Sequence, residues 1–169
     1  MVENTTSQIQ RPMDITNIIS HIRNWEYMSG IDRDKTRIKV TEECFTPTWL
    51  VQKGLNEYEK FIPDIFSNQS KTFIDNSCGD GQFLGEALIR KVENGIDFET
   101  ALSTIYGVDL MPDNVKLCQD RLLCGQEHLR HIVEKNIVCA DALRYHYRFD
   151  GTEVFDKEKH FTALFEEIN

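Results

Sequence analysis

An α/β fold built on a parallel sheet is the class this sequence predicts, and three observations predict it. Three short apolar runs each end in an acid: Phe73-Ile74-Asp75, Ser103 to Asp109, and Ile137 to Asp141. The stretches between them carry apolar residues at helical spacing. The first run passes straight into a turn that holds two glycines, Gly79 and Gly81. Strands that alternate with helices pair in parallel, because a crossover helix returns the chain to the same end of the sheet.

The first connection concentrates the chemistry. Phe73 and Ile74 end a strand, Asp75 to Gly81 form a turn, and Gln82 to Val92 form a helix with Phe83, Leu84, Ala87 and Leu88 at helical intervals. The glycines permit positive φ and let a ligand approach backbone that a Cβ would shield. The following helix presents unpaired N–H groups to whatever sits in the turn. In a doubly wound sheet an acid at the end of the second strand, here Asp109, can accept both hydroxyls of a ribose lying across the strand ends. Three strands ending in acids describe half of a nucleotide-binding sheet.

The segment Asp75-Asn76-Ser77-Cys78-Gly79-Asp80-Gly81-Gln82-Phe83 resembles motif I, in its DPxCGxGxF form, of the adenine-N6 branch of class I S-adenosylmethionine-dependent methyltransferases. Tyr106-Gly107-Val108-Asp109-Leu110 resembles motif II, and Cys139-Ala140-Asp141-Ala142-Leu143 resembles motif III. Cys44-Phe45-Thr46-Pro47-Thr48-Trp49-Leu50-Val51 resembles the FTPxxLV motif X. Four matches in order and in register, from about Lys39 to Leu143, are a far stronger signal than any one alone. Asn76 stands where the family usually has proline, and Asn is a good turn former.

The resemblance implies a Rossmann-like three-layer methyltransferase fold, with the parallel sheet reduced or truncated after the third or fourth strand. It implies S-adenosyl-L-methionine as cofactor. The residues it would place at the cofactor are Thr46, Pro47, Asp75, Ser77, Cys78, Gly79, Gly81, Phe83, Asp109, Leu110, Asp141 and Ala142. Asp109 would hold the ribose, Asp141 would accept from the adenine amino group, and the turn from Asp75 to Gly81 would hold the methionine end, with Thr46-Pro47 beside it. Either Leu110 or Met111 would line the adenine pocket. The implied activity is methylation of an exocyclic amine in a nucleic acid.

The family transfers its methyl group at a [DNS]PP[YFW] motif, where a polar side chain and a prolyl carbonyl grip the amine and an aromatic stacks on the flipped base. This chain contains no Pro-Pro dipeptide. Catalytic residues therefore stay unassigned. The nearest segment by position, Phe161 to Asn169, reads either as a strand ending in Asn or as an amphipathic helix, and its Ala, Leu and Glu favour the helix.

Taken in order, residues 1–35 read as a polar lead followed by a helix from Ile15 to about Met28, capped by Asp14, and residues 36–169 as the cofactor-binding domain. Thr46-Pro47 opens a helix from Thr48 to Phe61. Met111-Pro112-Asp113 starts another that runs to about Leu123, with Val115, Leu117, Cys118 and Leu122 inward, and Gly125 to Lys135 reads as a connector. A sheet cut at its first strand exposes that strand's edge. Tyr145 to Phe149 with Glu153 to Phe155 could cover it as a strand or hairpin; otherwise self-association or a partner subunit is expected.

The net charge of −9 leaves the chain without the basic patch typical of nucleic-acid binders, so nucleic acid is a weakly supported partner. No run approaches membrane-spanning length and the first residues are polar, which predicts a cytoplasmic protein without a membrane contact. Five cysteines without a CxxC pair read as reduced packing thiols, and His128-x-x-His131 lacks further ligands, so no metal is expected.

Overall fold

The structure, a computed structural model, describes residues 14–24 and 46–152. Within them three short parallel strands form one sheet in the order β1-β2-β3: β1 Phe73–Asp75, β2 Ile105–Asp109 and β3 Ile137–Cys139. Phe73 lies opposite Ile105 and Asp75 opposite Gly107; Gly107 lies opposite Ile137 and Asp109 opposite Cys139. At the carboxyl end β2 thus runs two residues past β1 and ends level with β3, so Asp75 and Asp109 are staggered there.

The helices are α1 (Ile15–Asn24), α2 (Thr48–Phe61), α3 (Gln82–Glu93), α4 (Phe98–Ser103), α5 (Pro112–Leu123) and α6 (Arg130–Asn136). Their ends follow local chemistry. Asp14 accepts the Thr16 N–H at 3.0 Å ahead of α1, and Asp97 accepts the Thr100 N–H at 3.1 Å to cap α4. Pro112 opens α5, where its missing N–H costs nothing, and Cys124 (φ 49°) and Gly125 (φ 74°) end it in the left-handed region.

Strand alternation divides the sheet into two faces. Phe73, Ile105 and Ile137 point to one face and join a core with Leu84, Leu88, Cys118, Leu122 and Val133 from the helices. Each such Leu or Ile, fully buried, contributes about 1.5–3 kcal/mol. The alternate residues Ile74, Tyr106 and Val108 point to the opposite face, and Ile74 is 48 % exposed. The described residues make two layers, helices and sheet. The expected third layer is not among them.

Helix α3 sits at the centre and ties the helices together by buried charge. Glu86, 2 % exposed, accepts from Arg23 Nε and Nη2 at 2.8 and 3.0 Å and from Gln52 Nε2 at 3.1 Å, joining α1 and α2 to α3. Lys91 is fully buried and donates to the Lys71 carbonyl at 2.7 Å; burial lowers its pKa.

Several boundaries differ from the sequence reading. The stretch read as a connector, Gly125 to Lys135, contains a 3₁₀ turn (Glu127–Leu129) and most of α6, because Leu129, Ile132 and Val133 bury on the core at helical intervals. The second strand begins at Ile105 rather than Ser103, since α4 uses Ser103 as its last residue. The third ends at Cys139, so Asp141 lies beyond it. Leu117 is only partly buried. Tyr145 to Phe149 forms no strand or hairpin; Tyr147 and Phe149 take φ of 57° and 50°, which no strand accommodates. The expected helix beyond Asn24, Cys44-Phe45 of motif X, Glu153 to Phe155 and Phe161 to Asn169 lie outside the described residues. Among the described residues no helix is long and apolar enough to cross a membrane.

Candidate functional site

The turn between β1 and α3 is built by bonds from three different elements. Asp75 Oδ1 accepts the Ser77 N–H at 3.0 Å, which starts the turn locally. The Cys78 N–H donates to the Val108 carbonyl at 3.0 Å, laying the turn against β2. Gly79 (φ 52°) then donates its N–H to Asp109 Oδ2 at 2.9 Å. Gly81 (φ 87°) donates to the Cys78 carbonyl at 2.8 Å and accepts from the Gly85 N–H at 2.8 Å as α3 begins.

Gly81 is required sterically as well as conformationally. A Cβ there would lie 2.7 Å from Cys118 Sγ. Gly107 of β2 is similarly constrained, since its Cβ would meet Leu84 Cδ1 at 2.7 Å and Cys78 Sγ at 3.0 Å. Cys78 is therefore buried between β2 and α5. Its thiol is held well above its usual pKa, first by its hydrogen bond with Cys118 and then by burial, so it stays protonated.

Asp109 is a clamp. It is 9 % exposed, and besides Gly79 it accepts the Met111 N–H at 2.9 Å and Asn114 Nδ2 at 3.1 Å, both through Oδ1. One carboxylate thus fixes the glycine turn relative to the start of α5. A second buried tie runs parallel to it: Arg121, 1 % exposed, donates through Nη1 to the Asp80 carbonyl at 2.9 Å and pairs with Asp80 Oδ1 at 3.2 Å. The turn is held on both sides by charge-assisted bonds.

Asp75 is the more available acid. Its Oδ2 has no hydrogen bond among the described residues, and its carboxyl is raised above the ordinary value first by burial and then by the neighbouring Asp109 charge, against the opposing Ser77 N–H. Asp141, two residues past β3, accepts the Leu143 N–H at 2.9 Å and lies 3.4 Å from Arg144 Nε. The Ala140 N–H donates to the Asp109 carbonyl at 3.0 Å, which brings the Asp141 loop beside the end of β2.

Of the residues named from sequence, Asp75, Ser77, Cys78, Gly79, Gly81 and Asp109 converge in one hydrogen-bonded unit. Leu110 adjoins it, its carbonyl accepting from Cys139 Sγ at 3.4 Å, and Ala142 lies past β3 with its carbonyl taking the Tyr147 hydroxyl at 2.8 Å. Phe83 packs into the core with its ring against Gly54 of α2. Thr46 and Pro47 stand at the start of α2, and no hydrogen bond among the described residues links their side chains to the turn.

Arg121 and Asn114 hold the turn and were not singled out in the sequence. Arg121 had a legible signal, since it falls three residues after Cys118 and beside Leu122 on the inward stripe of α5, where a charge needs a buried partner. Among the described residues no group of three or more His, Cys, Asp and Glu could hold a metal ion. No family model, no curated protein and no solved structure matches the chain.

Proposed function

We propose that the chain binds S-adenosyl-L-methionine at the glycine turn and belongs functionally with the methyltransferases that act on the adenine amino group of nucleic acid. The observation that carries this reading is the convergence of the turn, Asp109 and the Asp141 loop at the carboxyl end of a parallel sheet, where such folds place nucleosides. The turn fits the amino-acid end of that cofactor, whose ammonium group needs an acceptor. Gly79 and Gly81 give the turn its positive φ, and Asp75 keeps a carboxylate oxygen without a hydrogen bond among the described residues.

When bound, the cofactor supplies an electrophilic methyl on its sulfonium. The turn from Asp75 to Gly81 would hold the methionine end, while Asp109 and Asp141 would take the ribose and the adenine amine. Asp109 also keeps the turn in place through Gly79, so its role combines contact with positioning.

Calorimetric titration of the full chain with S-adenosylmethionine and its demethylated product tests this. Binding at micromolar strength is expected. Asp141→Asn, which leaves the Asp109 clamp untouched, should weaken it by about tenfold, the loss expected for a charge-assisted hydrogen bond. No heat with either ligand overturns the reading.

A second reading is favoured by one further observation. Among the described residues β1 is an edge strand, and the sequence has no Pro-Pro dipeptide for the amine to dock against. On this reading the chain holds the cofactor while a partner subunit, or a second copy, completes the sheet and supplies the catalytic motif. Methyl transfer from labelled cofactor to DNA or RNA by the isolated chain would rule out the need for a different subunit. A monodisperse monomer in sedimentation at micromolar concentration would exclude a stable second copy.

A further inference from the structure

The sheet face opposite the helices carries a groove of about 350 Å³, at the small end of the range that holds single organic ligands. Its floor is Ile74 and Tyr106, paired across β1 and β2, and its wall is Tyr147 and Phe149. The Tyr106 and Phe149 rings lie 4.8 Å apart, and Tyr145 backs both Tyr147 (5.2 Å) and Phe149 (5.3 Å). Tyr147 remains 37 % exposed, so part of it is open to a ligand.

Two features separate this groove from an ordinary uncovered patch. Tyr147 and Phe149 both sit at positive φ, a conformation that bulky residues rarely adopt and that persists only where surrounding bonds enforce it. Those bonds are present: the Tyr147 hydroxyl donates to the Ala142 carbonyl at 2.8 Å, and the Phe149 N–H donates to the Tyr145 hydroxyl at 3.0 Å. The aromatic wall is thus organised before any ligand arrives. The second feature is charge. In a chain of net charge −9, Lys135 and Arg148 both line the groove, and Lys135 has no ion pair or hydrogen bond among the described residues. The acid that feels Arg148, Asp150, already takes the N–H and hydroxyl of Thr152.

We propose that this groove is a second binding site, for a nucleoside monophosphate, with the base stacked on Tyr106 and Tyr147 and the phosphate held by Lys135 and Arg148. Aromatic faces attract a planar base whatever its identity, and two cations lining one small groove match a dianionic group. The groove shares no lining residue with the glycine turn, which is packed against α5, so the inference stands independently of the cofactor reading.

The test is a titration of the isotope-labelled full chain with adenosine monophosphate, followed by amide chemical shifts. Shifts centred on Tyr106, Tyr147 and Phe149 are expected. Lys135→Glu and Arg148→Glu should each weaken binding about tenfold, and Tyr147→Ala about fivefold. Saturating S-adenosylmethionine should leave the affinity unchanged, so that failure of either site is visible without the other. Absence of shifts up to millimolar nucleotide would overturn the proposal. So would shifts confined to Asp75 to Gly81, affinity indifferent to both charge reversals, or a short single-stranded oligonucleotide binding more than tenfold tighter than the mononucleotide.

Discussion

The two faces of the sheet are made by the same eleven strand residues and have opposite characters. On one, Phe73, Ile105 and Ile137 meet helices whose buried charges, Glu86, Lys91 and Arg121, are each hydrogen-bonded to a partner outside their own helix. On the other, Ile74 is half exposed and the cover is an irregular segment held at positive φ. Rigidity follows from what covers each face. Helices of period 3.6 deliver several apolar side chains to one face and can afford a few satisfied charges among them. A short irregular segment delivers only Tyr147 and Phe149, so the face stays open and its geometry depends on two specific hydrogen bonds.

Breaking the covered side should cost most. Arg121→Met strips the buried partner from Asp80, and urea unfolding is expected to show a loss of about 3–5 kcal/mol, the usual consequence of leaving one buried charge unpaired. Arg148→Ala on the open face provides the contrast, with a change within about 0.5 kcal/mol. If the two variants unfold at the same urea midpoint, the faces do not differ as described.

Asp109→Ala comes next. It leaves the Gly79 N–H, the Met111 N–H and Asn114 without their acceptor, and a stability loss of about 2–3 kcal/mol is expected in the same measurement. Gly81→Ala combines a φ of 87° with a 2.7 Å approach to Cys118 Sγ, so about 1–3 kcal/mol should be lost, and thermal unfolding would show it.

The smallest effect has the opposite sign. Because burial raises the Asp75 carboxyl, the folded state holds its proton more tightly than the unfolded chain does. The stability this contributes is complete below the unfolded value of 3.8 and is lost as pH rises through the folded value. Asp75→Asn keeps an acceptor for the Ser77 N–H without the charge. It should therefore unfold at slightly higher temperature than the wild type at neutral pH, with the advantage vanishing below about pH 3.8. A constant difference across that range would mean that the carboxylate is as well solvated in the fold as in the unfolded chain.

Much of this architecture was legible residue by residue. Helix α2 spans the stretch that Thr46-Pro47 predicted, and the turn from Asp75 to Gly81 lies where two glycines follow an apolar run. Helix α6 was missed because His128, Arg130 and Glu134 mask the spacing of Leu129, Ile132 and Val133, which reads as helical only once the core they enter is known. The Asp109 clamp was half visible. An acid at a strand end invites a ligand, yet nothing in the order of residues shows that Gly79, thirty positions earlier, already donates to it.

By itself the sequence determined the alternation of strands and helices, the parallel sheet and the place of the glycine turn, because these depend on spacing, φ preference and capping within a few residues of the chain. Only the tertiary structure decided which acids are engaged and which are available, which charge is buried, and which face of the sheet is left open. Those depend on contacts between residues 30 to 63 positions apart, such as Gly79 with Asp109 and Arg23 with Glu86, and burial is a property of the whole packed layer rather than of any segment.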